Sequence, residues 1–145
     1  MVFILSYREA PTYEISFMYR KILVPIDGSE NSLKALDIAI DLAKHYGSRI
    51  TVVYAKPKDS IESRDLFDKV KKRVEKRGVD IAFKIIEYDS NTSSVANSIL
   101  NELIEGGYDL VIMGARGLTL TSELNIGSTA LSLVINSPVT IMVVR

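Results

Sequence analysis

Along this chain, short runs of consecutive apolar residues alternate with longer stretches in which apolar residues return every three or four positions. Lys21-Ile-Leu-Val-Pro-Ile26 is nearly all apolar, as expected of a strand covered on both faces. Asp27-Gly28-Ser29 reads as a turn, with Ser29 capping a helix that reaches about Tyr46. Leu36, Ala39, Ile40 and Ala43 give that helix one buried stripe, and Gly47 supplies its stop. Ile50–Ala55 is the second strand, ended by Pro57, and a second helix is expected from about Glu62 to Arg77 with Leu66, Phe67, Val70 and Val74 inward. Ile81–Ile86 is the third strand, followed by a helix from Thr92 to Glu105 buried through Val95, Ala96, Ile99, Leu100 and Leu103. Leu110–Met113 and Val139–Val144 read as the fourth and fifth strands, with a helix over Gly127–Asn136 between them.

Strand and helix therefore alternate from Tyr19 to the last residues. That order predicts an α/β domain with a parallel sheet and helices on both faces, connected by right-handed crossovers. The first 17 residues do not fit the alternation. Met1–Leu5 is apolar but shorter than a signal-peptide core, and Arg8, Glu9 and Pro11 interrupt it. Residues 1–17 are expected to lie outside the fold, as a mobile arm or a start-site artefact, with the domain proper at 18–145. The competing reading is an extra strand added to a sheet edge or to a partner.

Composition narrows the chemistry. Lys+Arg and Asp+Glu both number 18, so the formal net charge is zero and no basic surplus favours nucleic acid as a partner. The chain has no cysteine and a single histidine, His45, which removes thiolate and His-cluster metal sites and disfavours a Ser-His-Asp triad. His45 and Lys44 close the first helix, where a cation complements the helix dipole. The basic run Lys69, Lys71, Lys72, Arg73, Lys76 and Arg77 is interspersed with Glu62, Asp65, Asp68 and Glu75 and reads as a solvated helix face. No apolar stretch approaches the ~20 residues of a spanning helix, so a cytoplasmic protein without a membrane partner is expected.

In open parallel sheets, ligands bind beyond the carboxyl ends of the strands. Two segments with unusual chemistry fall there: Asp27 after the first strand, and Gly114-Ala-Arg-Gly117 after the fourth. Gly114 and Gly117 tolerate positive φ and let backbone N–H groups approach an anion. Gly127-Ser128-Thr129 then opens the last helix, whose N-terminal N–H groups suit a phosphate oxygen, and Arg116 can supply a full charge. Any one of these glycines alone reads as a turn, and Asp27 alone as a brace for its turn. Together, after a buried strand, they point to phosphate. No G-x-x-x-x-G-K-[ST] occurs and no G-x-G-x-x-G follows the first strand, which disfavours a P-loop NTPase and a dinucleotide dehydrogenase.

Three segments carry a resemblance. Ile22–Ser29, the G-x2-G-x9-G-[ST] spacing from Gly114 to Ser128, and the terminal Pro138–Arg145 together resemble the universal stress proteins, over about Met18 to Arg145. The resemblance implies a Rossmann-like sheet of the adenine-nucleotide alpha hydrolase type, with five parallel strands in the order 3-2-1-4-5. It implies a homodimer paired through the last strand, Val139–Val144, and membership of the ATP-binding subgroup. Pro25 and Asp27 would line the adenosine side, with Asp27 near the ribose or a phosphate-bound Mg²⁺ or Mn²⁺. Ala55 would offer backbone groups to adenine, while Gly114, Arg116, Gly117, Gly127, Ser128 and Thr129 would hold ribose and phosphates. No separate general base stands out in the sequence. The expected output is thus a nucleotide-dependent stress-response switch acting on an unidentified protein partner. A slow ATPase or phosphotransferase, and a nucleotide-free dimeric interaction module, are the competing readings.

Overall fold

The computed structural model describes residues 2–6, 18–61, 64–116 and 126–145. Its elements, in chain order, are β1 (Val2–Ser6), β2 (Lys21–Pro25), α1 (Glu30–Tyr46), β3 (Arg49–Pro57), α2 (Arg64–Val74), β4 (Asp80–Tyr88), α3 (Val95–Gly106), β5 (Leu110–Gly114), α4 (Ser128–Asn136) and β6 (Thr140–Val144). They build one sheet in the order β1-β4-β3-β2-β5-β6. The strands from β2 to β6 are parallel, with Ile22 opposite both Ile50 of β3 and Leu110 of β5. β2 is therefore central, and its carboxyl end lies beside that of β5.

The order differs from the expected one by an added strand. β1 joins the β4 edge antiparallel, pairing Val2 with Lys84, Phe3 with Phe83, Ile4 with Ala82 and Ser6 with Ile81. The sheet has six strands rather than five, and residues 2–6 belong to the fold, correcting the expectation that the whole of 1–17 lies outside it. The physical reason is Phe3. Its ring meets Phe67 of α2 edge-on at 5.1 Å and lies 6.5 Å from Phe83 of β4, completing a three-ring cluster. Aromatic pairs at such spacings add favourable edge-to-face contact to their buried area.

Two apolar layers sandwich the sheet. On one face, α1 and α2 bury Leu36, Ala39, Ile40, Ala43, Leu66, Val70 and Val74 against Ile22, Val24, Ile50, Val52, Ile81 and Phe83. On the other, α3 and α4 bury Ile99, Leu103, Ala130 and Leu133 against Leu23, Val53, Ala55, Val111 and Met113. The strands are apolar on successive residues because both faces are covered. α1 begins and ends where the sequence predicts: Ser29 accepts a hydrogen bond from the Ser32 N–H, and Gly47 takes φ 74° as the left-handed stop. α2 is shorter than predicted. It ends at Val74, Lys76 (φ 59°) turns the backbone out of the helix before Arg77, and Gly78 (φ 71°) follows as a second left-handed residue. Glu62 lies outside the described residues. Two residues of the basic run are ion-paired to α1, Arg73 with Asp37 and Arg77 with Asp41, so that part of the solvated face holds the two helices together.

A polar network fixes α3 and the start of β5. The Tyr108 hydroxyl donates to Glu102 Oε2 at 2.7 Å, and Lys84 Nζ donates to Glu102 Oε1 at 2.6 Å. Lys21 Nζ donates to the Gly106 carbonyl and sits 4.7 Å over the Tyr108 ring. The Asp109 carboxylate accepts the N–H groups of Arg20 (2.9 Å) and Lys21 (3.1 Å), tying the start of β2 to the turn before β5. Burial pushes the Tyr108 phenol well above its ordinary pKa, the hydrogen bond with Thr51 works against this, and the Glu102 carboxylate adds to the rise.

Candidate functional site

A pocket of about 320 Å³ opens at the carboxyl ends of β2 and β5. Its walls come from four places in the chain. Pro25, Ile26 and Asp27 end β2; Met113, Gly114, Ala115 and Arg116 end β5; Gly127, Ser128, Thr129 and Ala130 open α4; Val95 and Ile99 of α3 close one side. Ser32, from the first turn of α1, completes the lining. The result has an apolar flank, a helix N-terminus, one arginine and one carboxylate, the mixture expected of a small-molecule site.

The turn after β2 is held by its own polar atoms. Asp27 Oδ1 accepts the Ser29 N–H at 2.9 Å, Ser32 Oγ donates to the Ser29 carbonyl at 2.9 Å, and Gly28 takes φ 88°. A positive φ there favours glycine. Asp27 is thus a brace of its turn as well as a pocket residue.

The glycine at the end of β5 serves a different need. Gly114 lies in the strand and is not among the described glycines with positive φ, which corrects the conformational role expected of it. A Cβ at this position would come 2.8 Å from the Asn31 carbonyl carbon and 2.9 Å from Asn31 Cβ. Gly114 is what lets the first turn of α1 lie against β5, and so brings the α1 start to the edge of the pocket. Its contribution to the site is close packing.

The start of α4 differs from the starts of the other capped helices. Ser29 caps α1 and Ser94 caps α3, each through its side-chain oxygen. α4 has Gly127 at this position, at φ −76° and ψ 164°, with no side-chain cap. The Gly127 N–H donates to the Ala115 carbonyl, which fastens the helix start to the end of β5, and its carbonyl accepts from Leu131 at 2.9 Å. The first-turn N–H groups of a helix have no intrahelical acceptor. Ser128, Thr129 and Ala130, which carry such N–H groups, line the pocket together with the positively charged Arg116.

Seven of the nine sequence-predicted binding residues meet here: Pro25, Asp27, Gly114, Arg116, Gly127, Ser128 and Thr129. Ala55 does not. It is not one of the lining residues, and its side chain packs beside Val53 under Ile99 and Leu103 of α3; the backbone role expected of it is a separate matter. Gly117 and the stretch up to 125 lie outside the described residues. Sequence reasoning assigned Val95 and Ile99 to the buried stripe of a helix and Met113 to the end of a strand. Only the way α3 overhangs the sheet makes them pocket walls. Ser32 had a local signal, since Ser29-x-x-Ser32 places a second hydroxyl at the third position of the capped turn. Among the described residues no cluster of three or more His, Asp or Glu could hold a metal ion, and none of their helices is long and apolar enough to cross a membrane.

A doubly wound, mostly parallel sheet with its pocket at these strand ends defines an open α/β architecture, which places ligand sites beyond the strand carboxyl ends. The chain belongs to the universal stress protein family, whose model matches residues 18–145. It is 29% identical over 133 residues to the universal stress protein YxiE of Bacillus subtilis, covering 78% of this chain and 90% of that one. Among solved structures, a universal stress protein in complex with cAMP superposes with a TM-score of 0.70 at 21% identity, over 88% of this chain and 98% of the other. The universal stress protein from Archaeoglobus fulgidus in complex with dAMP gives 0.65 at 15% identity, over 89% and 100%. At such identities the structural matches establish the fold.

Proposed function

We propose that this protein binds an adenine nucleotide, ATP foremost, in the pocket between β2 and β5, and works as a nucleotide-dependent switch in a cytoplasmic stress response. The observation that carries the reading is the uncapped start of α4 facing that pocket beside Arg116. Such a helix start is a ready-made phosphate site. The donor set fits a phosphate: the α4 first-turn N–H groups, the Ser128 and Thr129 hydroxyls, and the Arg116 guanidinium. Val95, Ile99 and Met113 offer an apolar wall of the kind a flat base needs, and Asp27 stands where it can accept from a ribose or steady a Mg²⁺ that arrives with the phosphates. The cAMP and dAMP complexes of the two structural neighbours support an adenine ligand for this fold.

The same reading includes a homodimer. β6 is an edge strand among the described residues, and α4, which packs on it, exposes the apolar residues Leu131, Val134 and Ile135. An apolar face beside an open sheet edge supports self-association through the last strand.

The test is chemical. Purified protein is denatured, the released small molecule is identified by mass, and the emptied protein is melted with ATP and Mg²⁺, AMP, cAMP and GTP in turn. An adenine nucleotide should be released or should raise Tm, with a gain of about 2.7 kcal/mol at a hundredfold excess over its Kd. Indifference to every adenine nucleotide would sink the reading.

A further inference from the structure

The family match starts at residue 18, yet the sheet is finished by residues 2–6. Without β1, the outer strand on that side is β4, and β4 is a hazardous edge. It is nine residues long and pairs without interruption with β3, from Arg49↔Asp80 to Pro57↔Tyr88. A long, regular edge presents an ordered row of backbone donors and acceptors to any other strand. β1 replaces it with an edge of five residues whose register shifts between Ile4 and Ser6. Short edge strands and irregular register are two of the devices by which sheets resist further pairing.

We propose that β1 is a self-supplied cover for the β4 edge, and that when it is released this edge pairs with a second copy of the chain. The closure argument follows from symmetry. β1 pairs with Ile81–Lys84 and so breaks up the regular β4 edge over its amino half. With that edge interrupted, sheet-to-sheet association is confined to the β6 side, and pairing through a single edge stops at two copies. With β4 and β6 both open, each copy has two edges to offer, and association no longer closes. The latch is Phe3, half-buried between Phe67 and Phe83, while its neighbour Val2 is 59% exposed. Beside the backbone ladder to β4, the Phe3 ring is the side-chain anchor of the arm that the described residues show. The partner that fits the released edge is another copy of this chain, because each released copy presents the same nine-residue β4 edge while β6 is engaged in the dimer proposed above.

The full-length chain with Phe3→Asp puts a carboxylate where the ring sits and should release β1. Amide hydrogen exchange at residues 81–84 is expected to quicken at least tenfold, and the mass in solution, read by light scattering, to rise with concentration beyond two copies. The unmodified chain should stay at two copies or fewer over the same range. The chain has no cysteine, so a clean latch can be added in the same background. Ile4→Cys with Ala82→Cys joins a cross-strand pair and should abolish the growth when oxidised and restore it when reduced. An F3D chain that keeps the parent mass, whether or not residues 81–84 exchange faster, overturns the proposal. So does growth that persists in the oxidised, latched chain, or growth past two copies in the unmodified one.

Discussion

The two ends of this sheet use polar residues in opposite ways. Toward the amino ends, Lys84 and Tyr108 share the Glu102 carboxylate, Lys21 serves the Gly106 carbonyl, and Asp109 takes two backbone N–H groups, while the buried Ser48 hydroxyl has no hydrogen-bond partner among the described residues. At the carboxyl ends, the polar groups line an open pocket, and the α4 start carries no side-chain cap. The first arrangement lowers the cost of burying polar atoms and fixes α3 on the sheet. The second leaves the α4 start without a side-chain cap beside an open pocket. Polar residues at one end hold the fold, and at the other they line the pocket proposed above to take a nucleotide.

The sharpest way to break this contrast is Glu102→Ala. It leaves the buried Tyr108 hydroxyl and the Lys84 amine without their shared acceptor, and unfolding free energy should fall by about 2–3 kcal/mol. Denaturant titration measures the loss, and nucleotide affinity of the folded fraction should not change. Gly114→Ala is next, because a Cβ there meets the backbone of Asn31. Overpacking of this kind costs roughly 1–3 kcal/mol. It should also weaken nucleotide binding, since the α1 start moves with it. An unaltered affinity in G114A would show that the seating of α1 does not shape the pocket.

Arg116→Ala tests the pocket end alone. Nucleotide affinity should drop about tenfold, or about 1.4 kcal/mol, by calorimetry, with Tm of the empty protein unchanged. A fall in Tm as large as that of E102A would erase the distinction between the two ends. The smallest effect at neutral pH belongs to Tyr108→Phe, about 1 kcal/mol. Its signature is alkaline. Because the folded chain holds the Tyr108 proton more tightly, the unfolded chain loses that proton first as pH rises. The contribution to stability is complete below the ordinary tyrosine pKa of about 10, and it is lost as pH climbs from there toward the raised folded value. Y108F should therefore show a shallower alkaline loss of stability than the parent.

Local signals carried far in this chain. The apolar runs at Ile22–Val24 and Leu110–Met113, the Ser29 cap and the Gly47 stop each depend on near neighbours, so their elements lie close to where the pattern puts them. The α2 end was less legible, since Lys76 and Gly78 leave the helix while the basic pattern runs on to Arg77. Of the site, the residues that cluster in sequence, Gly114 to Arg116 and Gly127 to Thr129, could be read as one anion-binding pattern. Val95 and Ile99 could not, because a buried position and a pocket wall look alike until α3 is placed.

Taken alone, the sequence determined the alternation of strand and helix, the two-sided burial of the sheet and the convergence of chemistry on two strand ends, because period, cap and turn act over a few residues. Only the tertiary structure decided that Phe3 carries a sixth strand onto β4, that Ala55 faces the core, and that Gly114 is glycine for the sake of Asn31. Each of those depends on contact between residues distant in the chain, and no local period encodes such a contact.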